Sequence, residues 1–370
     1  MHILSLTLLA LLGALLVAHD SHVVVHAQPS RLIVASGLDN PRGLGFGPDN
    51  FLYIVEAGRG GPDTPCLPPP AGAPPGAPMR CYGPTAAITR VRTLGDQQRV
   101  VTGLPSLAGP DGREATGPHD IGFGFGTGWL TIGLGADPAQ RAPFDAEGIP
   151  LGSLVRVDPT GAWSSVLDLA AFEAANNPDE GIIDSNPYGL LVTSTGGAFV
   201  DAGANAVLRI APTGALSLLA VLPSREVDHP FMPGTVQMQA VPTSVVQAPD
   251  GGYFVGELTG FPFPPGAARI YHIPAGGGEA VPVVGGFTNI IDIALAPTGV
   301  GYVLEHDADG LRGPGTAGRL VQVRPDGTTT ELTHANLTLP GGVAIGPDGA
   351  LYVTNNSTSA GNGEVVRITP

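Results

Sequence analysis

Short apolar runs, many of them β-branched, alternate with tight-turn signals along almost the whole chain. Gly43-Leu44-Gly45-Phe46 precedes Leu52-Tyr53-Ile54-Val55, and Val343-Ala344-Ile345 precedes Leu351-Tyr352-Val353. A turn lies between the members of each pair. This first series reads Gly47-Pro48-Asp49-Asn50, Gly126-Thr127-Gly128, Thr195-Gly196-Gly197, Pro249-Asp250-Gly251, Pro297-Thr298-Gly299 and Pro347-Asp348-Gly349. Proline presets the backbone dihedral of a turn and glycine supplies positive φ, so each pair is a hairpin.

A second series is interleaved with the first: Leu94-Gly95-Asp96, Asp158-Pro159-Thr160-Gly161, Pro212-Thr213-Gly214, Ala275-Gly276-Gly277 and Pro325-Asp326-Gly327. Several of its turns follow a run with arginine near its end, such as Leu154-Val155-Arg156-Val157 and Val207-Leu208-Arg209-Ile210. The repeating unit is therefore four antiparallel strands, a to d, with tight a–b and c–d turns. The spacing settles to about 50 residues per unit, the signature of propeller blades. The last unit stops at strand c, Val365-Val366-Arg367-Ile368, and its missing strand d is available as Arg31-Leu32-Ile33-Val34-Ala35. The pattern predicts an all-β, six-bladed β-propeller of four-stranded blades, its ring closed by an N-terminal strand that leaves no sheet end frayed.

This topology sends all a–b and c–d turns to one face and all b–c and d–a connections to the other. The second face receives every long segment: 57–86, 134–152, 258–268 and 306–318 after strand b, and 103–118, 169–186 and 223–241 after strand d. Long loops on a rigid scaffold carry function, so the site is expected there. Strand b reaches that face with Glu56, Asp201, Glu257, Glu305 and Asn355, and strand a leaves it with Arg42, His119, Asp120, Asn186, Tyr188, Asn289 and Asp292. If the acids converge at a channel mouth they must be paired, protonated or metal-bound. Glu56, Asp120, Asp201, Glu257 and Glu305 suit a hard divalent cation such as Ca²⁺, and His119 or His306 would admit Zn²⁺. The competing reading makes each acid a cap for backbone N–H groups of the next loop, one copy per blade. Arg42, Asn186, Tyr188, Asn289 and Asp292 are the candidates for holding a small molecule. Phe261-Pro262-Phe263-Pro264-Pro265 adds an aromatic loop on the same face.

Composition bounds the partners and the compartment. The net charge of −15 disfavours nucleic acid and anionic membrane surfaces. Ile3 to Val17 is an apolar run followed by Val25-His26-Ala27, a small-residue cleavage pattern. Residues 1–27 read as a secretory signal, with an uncleaved anchor as the alternative, and 28–370 as one propeller domain. After cleavage no segment would span a membrane. The expected location is secreted or periplasmic. Cys66 and Cys81 are the chain's 2 cysteines, and in an exported protein they form a disulfide.

Several stretches together carry a family likeness. They are Asn40-Pro41-Arg42-Gly43-Leu44, Tyr53-Ile54-Val55-Glu56-Ala57-Gly58, Cys81-Tyr82-Gly83-Pro84-Thr85, Gly117-Pro118-His119-Asp120-Ile121-Gly122-Phe123 and Asn186-Pro187-Tyr188-Gly189. With them the chain resembles the ScyD/ScyE family of exported propellers and, more distantly, NHL-repeat and lactonase-type six-bladed propellers. The resemblance implies an extracytoplasmic protein associated with late steps of scytonemin-type pigment formation. It brings no family-wide catalytic residues to this sequence. Lactonase-type relatives hold a metal on Glu, Asn and Asp at the channel mouth, which keeps a metal-dependent enzyme open as an alternative, by hydrolysis or by oxidative coupling of an aromatic precursor. A third class is a protein-interaction scaffold that uses the loop face.

Overall fold

Apolar strands that face neighbours on both sides need two covering sheets, and a ring of blades provides them. The computed structural model describes residues 30–69, 73, 76–93 and 95–370. The signal segment 1–27 and the turn residue Leu94 lie outside the described residues. The described chain forms six antiparallel blades of a β-propeller. Their innermost strands are Pro41–Phe46, Pro118–Gly124, Pro187–Thr193, Pro242–Gln247, Ile290–Leu295 and Gly342–Ile345. Each packs beside the next around the ring, and the last packs beside the first.

Ring closure follows the expected route. The N-terminal strand Arg31–Leu38 pairs antiparallel with the C-terminal strand Gly363–Ile368, in register Arg31 with Ile368 and Leu38 with Gly363. It extends three residues beyond the run read from the sequence. Separate apolar clusters fill the seams between blades. Val55 and Ile88 meet Ile121 and Leu130 between blades 1 and 2, and Val365 meets Ile54 between blades 6 and 1. These side chains leave almost nothing exposed to water, so each seam is a small hydrophobic core.

Hydroxyls staple alternate seams at the inner strands. Thr131 donates to the Tyr188 carbonyl, Thr243 to that of Ile290 at 2.7 Å, and Thr354 to that of Arg42 at 2.8 Å. Gly43 allows the closest approach between blades 1 and 2. A Cβ there would lie 2.3 Å from Asp120 Oδ1 and 2.9 Å from the His119 carbonyl oxygen.

Two of the expected loops of blade 1 are strands. Within 57–86, Asp63–Leu67 pairs with the early part of the long strand Arg80–Thr93, and Cys66 and Cys81 form a disulfide across that pair. The segment 103–118 also begins as strand, because Asp96–Ala108 stays paired with Arg80–Thr93 as far as Cys81 with Ala108. Three of the other long connections carry short elements. Two helical turns lie at Pro138–Arg141 and Ala142–Ala146, a helix at Ala170–Asn176, and a hairpin at Arg225–Asp228 and Thr235–Met238. Among the described residues no helix is long and apolar enough to cross a membrane.

Candidate functional site at the channel mouth

The acids that end the strand-b runs are fully buried, and most of them clamp loops. Glu56 accepts from the Asp39 N–H at 2.7 Å, from Thr89 Oγ1 at 2.6 Å and from the Arg99 guanidinium at 2.6 Å. Asp201 accepts from the Asn186 N–H at 2.6 Å and from Ser185 Oγ at 2.6 Å. Glu305 accepts from the Thr288 N–H at 2.6 Å and from Arg319. Asn355 holds the Thr338 N–H at 2.6 Å in the same way. In these four blades the acceptor is the last residue of strand b, and the donor is a backbone N–H shortly before strand a. Glu257 departs from this pattern, since its partner is Arg225 from the loop hairpin. Burial raises its carboxyl to about 7 against the opposing charge of Arg225, and burial raises that of Asp201 to about 6. This is the capping geometry, with arginine neutralising three of the acids.

A different set converges on the channel. Arg42, at the start of the innermost strand of blade 1, is buried; its Nη2 donates to the Ala115 carbonyl at 2.9 Å, and its Nε has no partner. His119 of blade 2 hydrogen-bonds through Nδ1 to the Pro187 carbonyl at 2.9 Å. His306, just after strand b of blade 5, does the same to the Pro340 carbonyl at 2.7 Å. Each Nδ1 is therefore protonated, and each Nε2 keeps its lone pair. Burial and then the Arg42 charge lower His119 to about 3; burial lowers His306 to about 4, with Arg42 acting in the same direction. Both rings are neutral at physiological pH. Tyr188 of blade 3 packs its ring on His119, with centroids 4.4 Å apart. Its hydroxyl is raised by burial, feels the positive field of Arg42, and feels the carboxyl groups of Asp292 and Asp120.

Asp120 and Asp292 lie on the innermost strands of blades 2 and 5 and play matching parts. Asp120 accepts from its neighbour Ile121 N–H and, across the seam, from Leu190 N–H, both at 2.8 Å. Asp292 accepts from Ile293 N–H and, across its seam, from Val343 N–H, both at 2.8 Å. Burial raises both carboxyl groups, and each disfavours ionisation of the other. Asn186 and Asn289 are loop ties. Asn186 Oδ1 accepts from Leu134 N–H, while Asn289 donates to the Leu258 carbonyl at 2.7 Å and accepts from Leu311 N–H.

The sequence-derived metal set, Glu56, His119, Asp120, Asp201, Glu257, Glu305 and His306, is thus divided among blades. Among the described residues no three His, Cys, Asp or Glu side chains are grouped to hold a metal ion. On the same face, two loops bring His229, Phe231, Phe261 and Phe263 into edge-on contacts, and Arg312 from a third lies over the rings of Phe231 and Phe261.

No family model matches the chain, and no curated protein matches it. Solved structures do. The soluble aldose sugar dehydrogenase of Escherichia coli is similar over 93% of this chain and 100% of that one, at 15% identity and a TM-score of 0.53. Virginiamycin B lyase of Staphylococcus aureus is similar over 93% and 100%, at 12% identity and a TM-score of 0.48. At such identities the likeness is one of fold. The chain is a six-bladed β-propeller.

Sequence reading placed Arg42, His119, Tyr188 and His306 on this face of the propeller, Arg42 and Tyr188 as candidates for holding a small molecule and the two histidines as candidate metal ligands. It missed Arg99, Arg225 and Arg319, the counter-charges of the clamping acids. Arg99 and Arg319 lie on strands d and c, where alternating arginine reads as a solvated strand edge. Arg225 comes from a hairpin whose return path no local pattern reveals.

Proposed function

We propose that the chain is an exported β-propeller that binds a small anionic molecule at the loop-face mouth of its channel, with Arg42 as the charged anchor. The observation that carries this reading is the buried Arg42 guanidinium, whose Nε is unpartnered. A carboxylate or phenolate oxygen would give it a charge-assisted hydrogen bond, the strong kind in a water-poor site. The neutral imidazoles of His119 and His306 add open acceptors, and Tyr188 adds a ring face and a hydroxyl. A divalent cation is disfavoured at this point, because the Arg42 charge that suppresses imidazolium formation opposes it too.

Residues 1–27 are read as the export signal, and the disulfide suits an oxidising compartment. The resemblance to the ScyD/ScyE family supports a place beside scytonemin-type pigment formation, with an anionic aromatic precursor as the ligand. The metal-dependent enzyme is the weaker reading, since the carboxylates it needs are engaged by arginines and backbone N–H groups. The scaffold reading would place a protein partner on the rim formed by exposed Phe231, Met232 and Leu311.

The test is calorimetric titration with benzoate, acetate and inorganic phosphate against the native protein and Arg42→Gln. Loss of one charge-assisted bond of about 1.5–3 kcal/mol weakens binding about 10- to 100-fold. Equal affinity in the two proteins, or no binding of any of the three anions, refutes the anchor role of Arg42.

A further inference from the structure

The connection from blade 2 to blade 3 buries acceptor oxygens without donors. Glu173 lies in the helix Ala170–Asn176, is 1% exposed, and has no hydrogen-bond partner on either carboxylate oxygen. Asn177 Oδ1 and Asp184 Oδ1, from the loop that follows, are likewise buried and unpartnered. The Asp184 backbone N–H faces the Glu173 carboxylate without closing a hydrogen bond. The loop runs back over the helix. Asn177 caps the helix in the left-handed region, with its N–H on the Glu173 carbonyl at 2.9 Å, and its side-chain amide holds the Gly181 carbonyl at 3.1 Å. Asp179 is held by the Gly181 N–H at 2.8 Å and by Asn205 at 2.7 Å.

Negative charge accumulates here without a matching cation in contact. Asp201, Asp179 and Asp184 all lie close enough to Glu173 to act on its charge. Arg80 acts on Asp184 through space, but its donors are spent on Thr116 Oγ1 and the Pro68 and Gly135 carbonyls. A buried carboxylate without donors is costly, and a single proton could serve only one of four acceptors. A hard cation held between them would serve them all. An irregular loop presenting carboxylate, amide and carbonyl oxygens matches the six to eight flexible oxygen ligands of Ca²⁺ better than the strict octahedron of Mg²⁺.

We propose that the 173–184 segment is a calcium site, with Glu173 and Asp184 as its two carboxylate ligands and Asn177 Oδ1 as its amide ligand. Backbone carbonyls and water complete the shell. It lies apart from Arg42 and stands independently of the anion reading of the mouth. Its role is structural: it pins the helix and the loop that lead into strand a of blade 3, which carries Tyr188.

The probe is calcium alone. Protein treated with EGTA is dialysed against CaCl₂ or MgCl₂ at pH 8, its metal content is read by mass spectrometry, and its melt is recorded. The expected result is one calcium per chain and a saturable rise in Tm of about 5 °C, with a smaller rise for magnesium. Glu173→Gln should abolish both the bound calcium and the rise. Asp184→Asn, which also keeps side-chain volume, serves as the second variant should the first fail to fold. No bound calcium in the native protein overturns the proposal. So does calcium bound with equal stoichiometry and equal Tm gain in a folded variant, which would place the ion elsewhere.

Discussion

Burial keeps His306 neutral in the folded protein, with the field of Arg42 acting in the same direction and the Nδ1–H hydrogen bond to the Pro340 carbonyl acting against it. Its value falls from 6.5 to about 4, whereas the unfolded chain takes up a proton below about 6.5. Acid therefore favours the unfolded state through this residue, and stability is lost as pH falls from about 6.5 toward 4. Asparagine keeps a donor near the Nδ1 position and does not titrate. His306→Asn should lose about 2 kcal/mol less than the native protein between pH 7 and pH 5. Denaturant melts at the two pH values decide this, and parallel losses in the two proteins would refute it. The identity of this histidine and its place on the loop face were legible in the sequence. Its neutrality was not, because that comes from burial in the closed ring and, in smaller part, from Arg42, which reaches the same mouth from the opposite end of the chain.

Single elements show what a local pattern can and cannot carry. The cysteine pair was legible because both residues lie in one connection of blade 1, 15 residues apart. The strands around it were not, since the Pro/Gly-rich composition of 57–86 reads as loop, and it becomes sheet only through pairing of Asp63–Leu67 with Arg80–Thr93 and of Arg80–Thr93 with Asp96–Ala108. Closing a loop of this length removes about 3 kcal/mol of unfolded-state entropy. Replacing Cys66 and Cys81 together by serine should lower unfolding free energy by about that amount while leaving the far-ultraviolet circular dichroism unchanged. An unaltered denaturation midpoint would show that the paired strands hold this segment without the covalent link. The strand-b acids were legible as a series, and their capping role was one of two readings. The arginines that neutralise them come from other strands and from a hairpin, so no window around Glu56, Glu257 or Glu305 contains the answer.

For the whole molecule, closure is the organising event. The strand Arg31–Leu38 is the outer strand of the last blade and buries Val34, Ala35 and Leu38 in a core shared with blade 1. Removing residues 31–38 should expose the edge of Gly363–Ile368 and open that seam, giving a protein that aggregates or melts well below the parent; light scattering and calorimetry read both outcomes. A truncated protein that stays monomeric with an unchanged Tm would mean that the ring does not depend on its closing strand. The count of blades and the closing strand were determined by the sequence alone. They follow from turn chemistry and from the two-residue alternation of strands, which are local properties of adjacent residues. The tertiary structure alone decided the content of the site. Arg42, His119, Tyr188 and His306 meet only because the ring returns blades 1, 2, 3 and 5 to one channel, and Glu173 loses its donors only when the following loop folds back over it. Proton affinity and hydrogen-bond satisfaction depend on neighbours in space, and the ring supplies those neighbours from parts of the chain that share no local pattern.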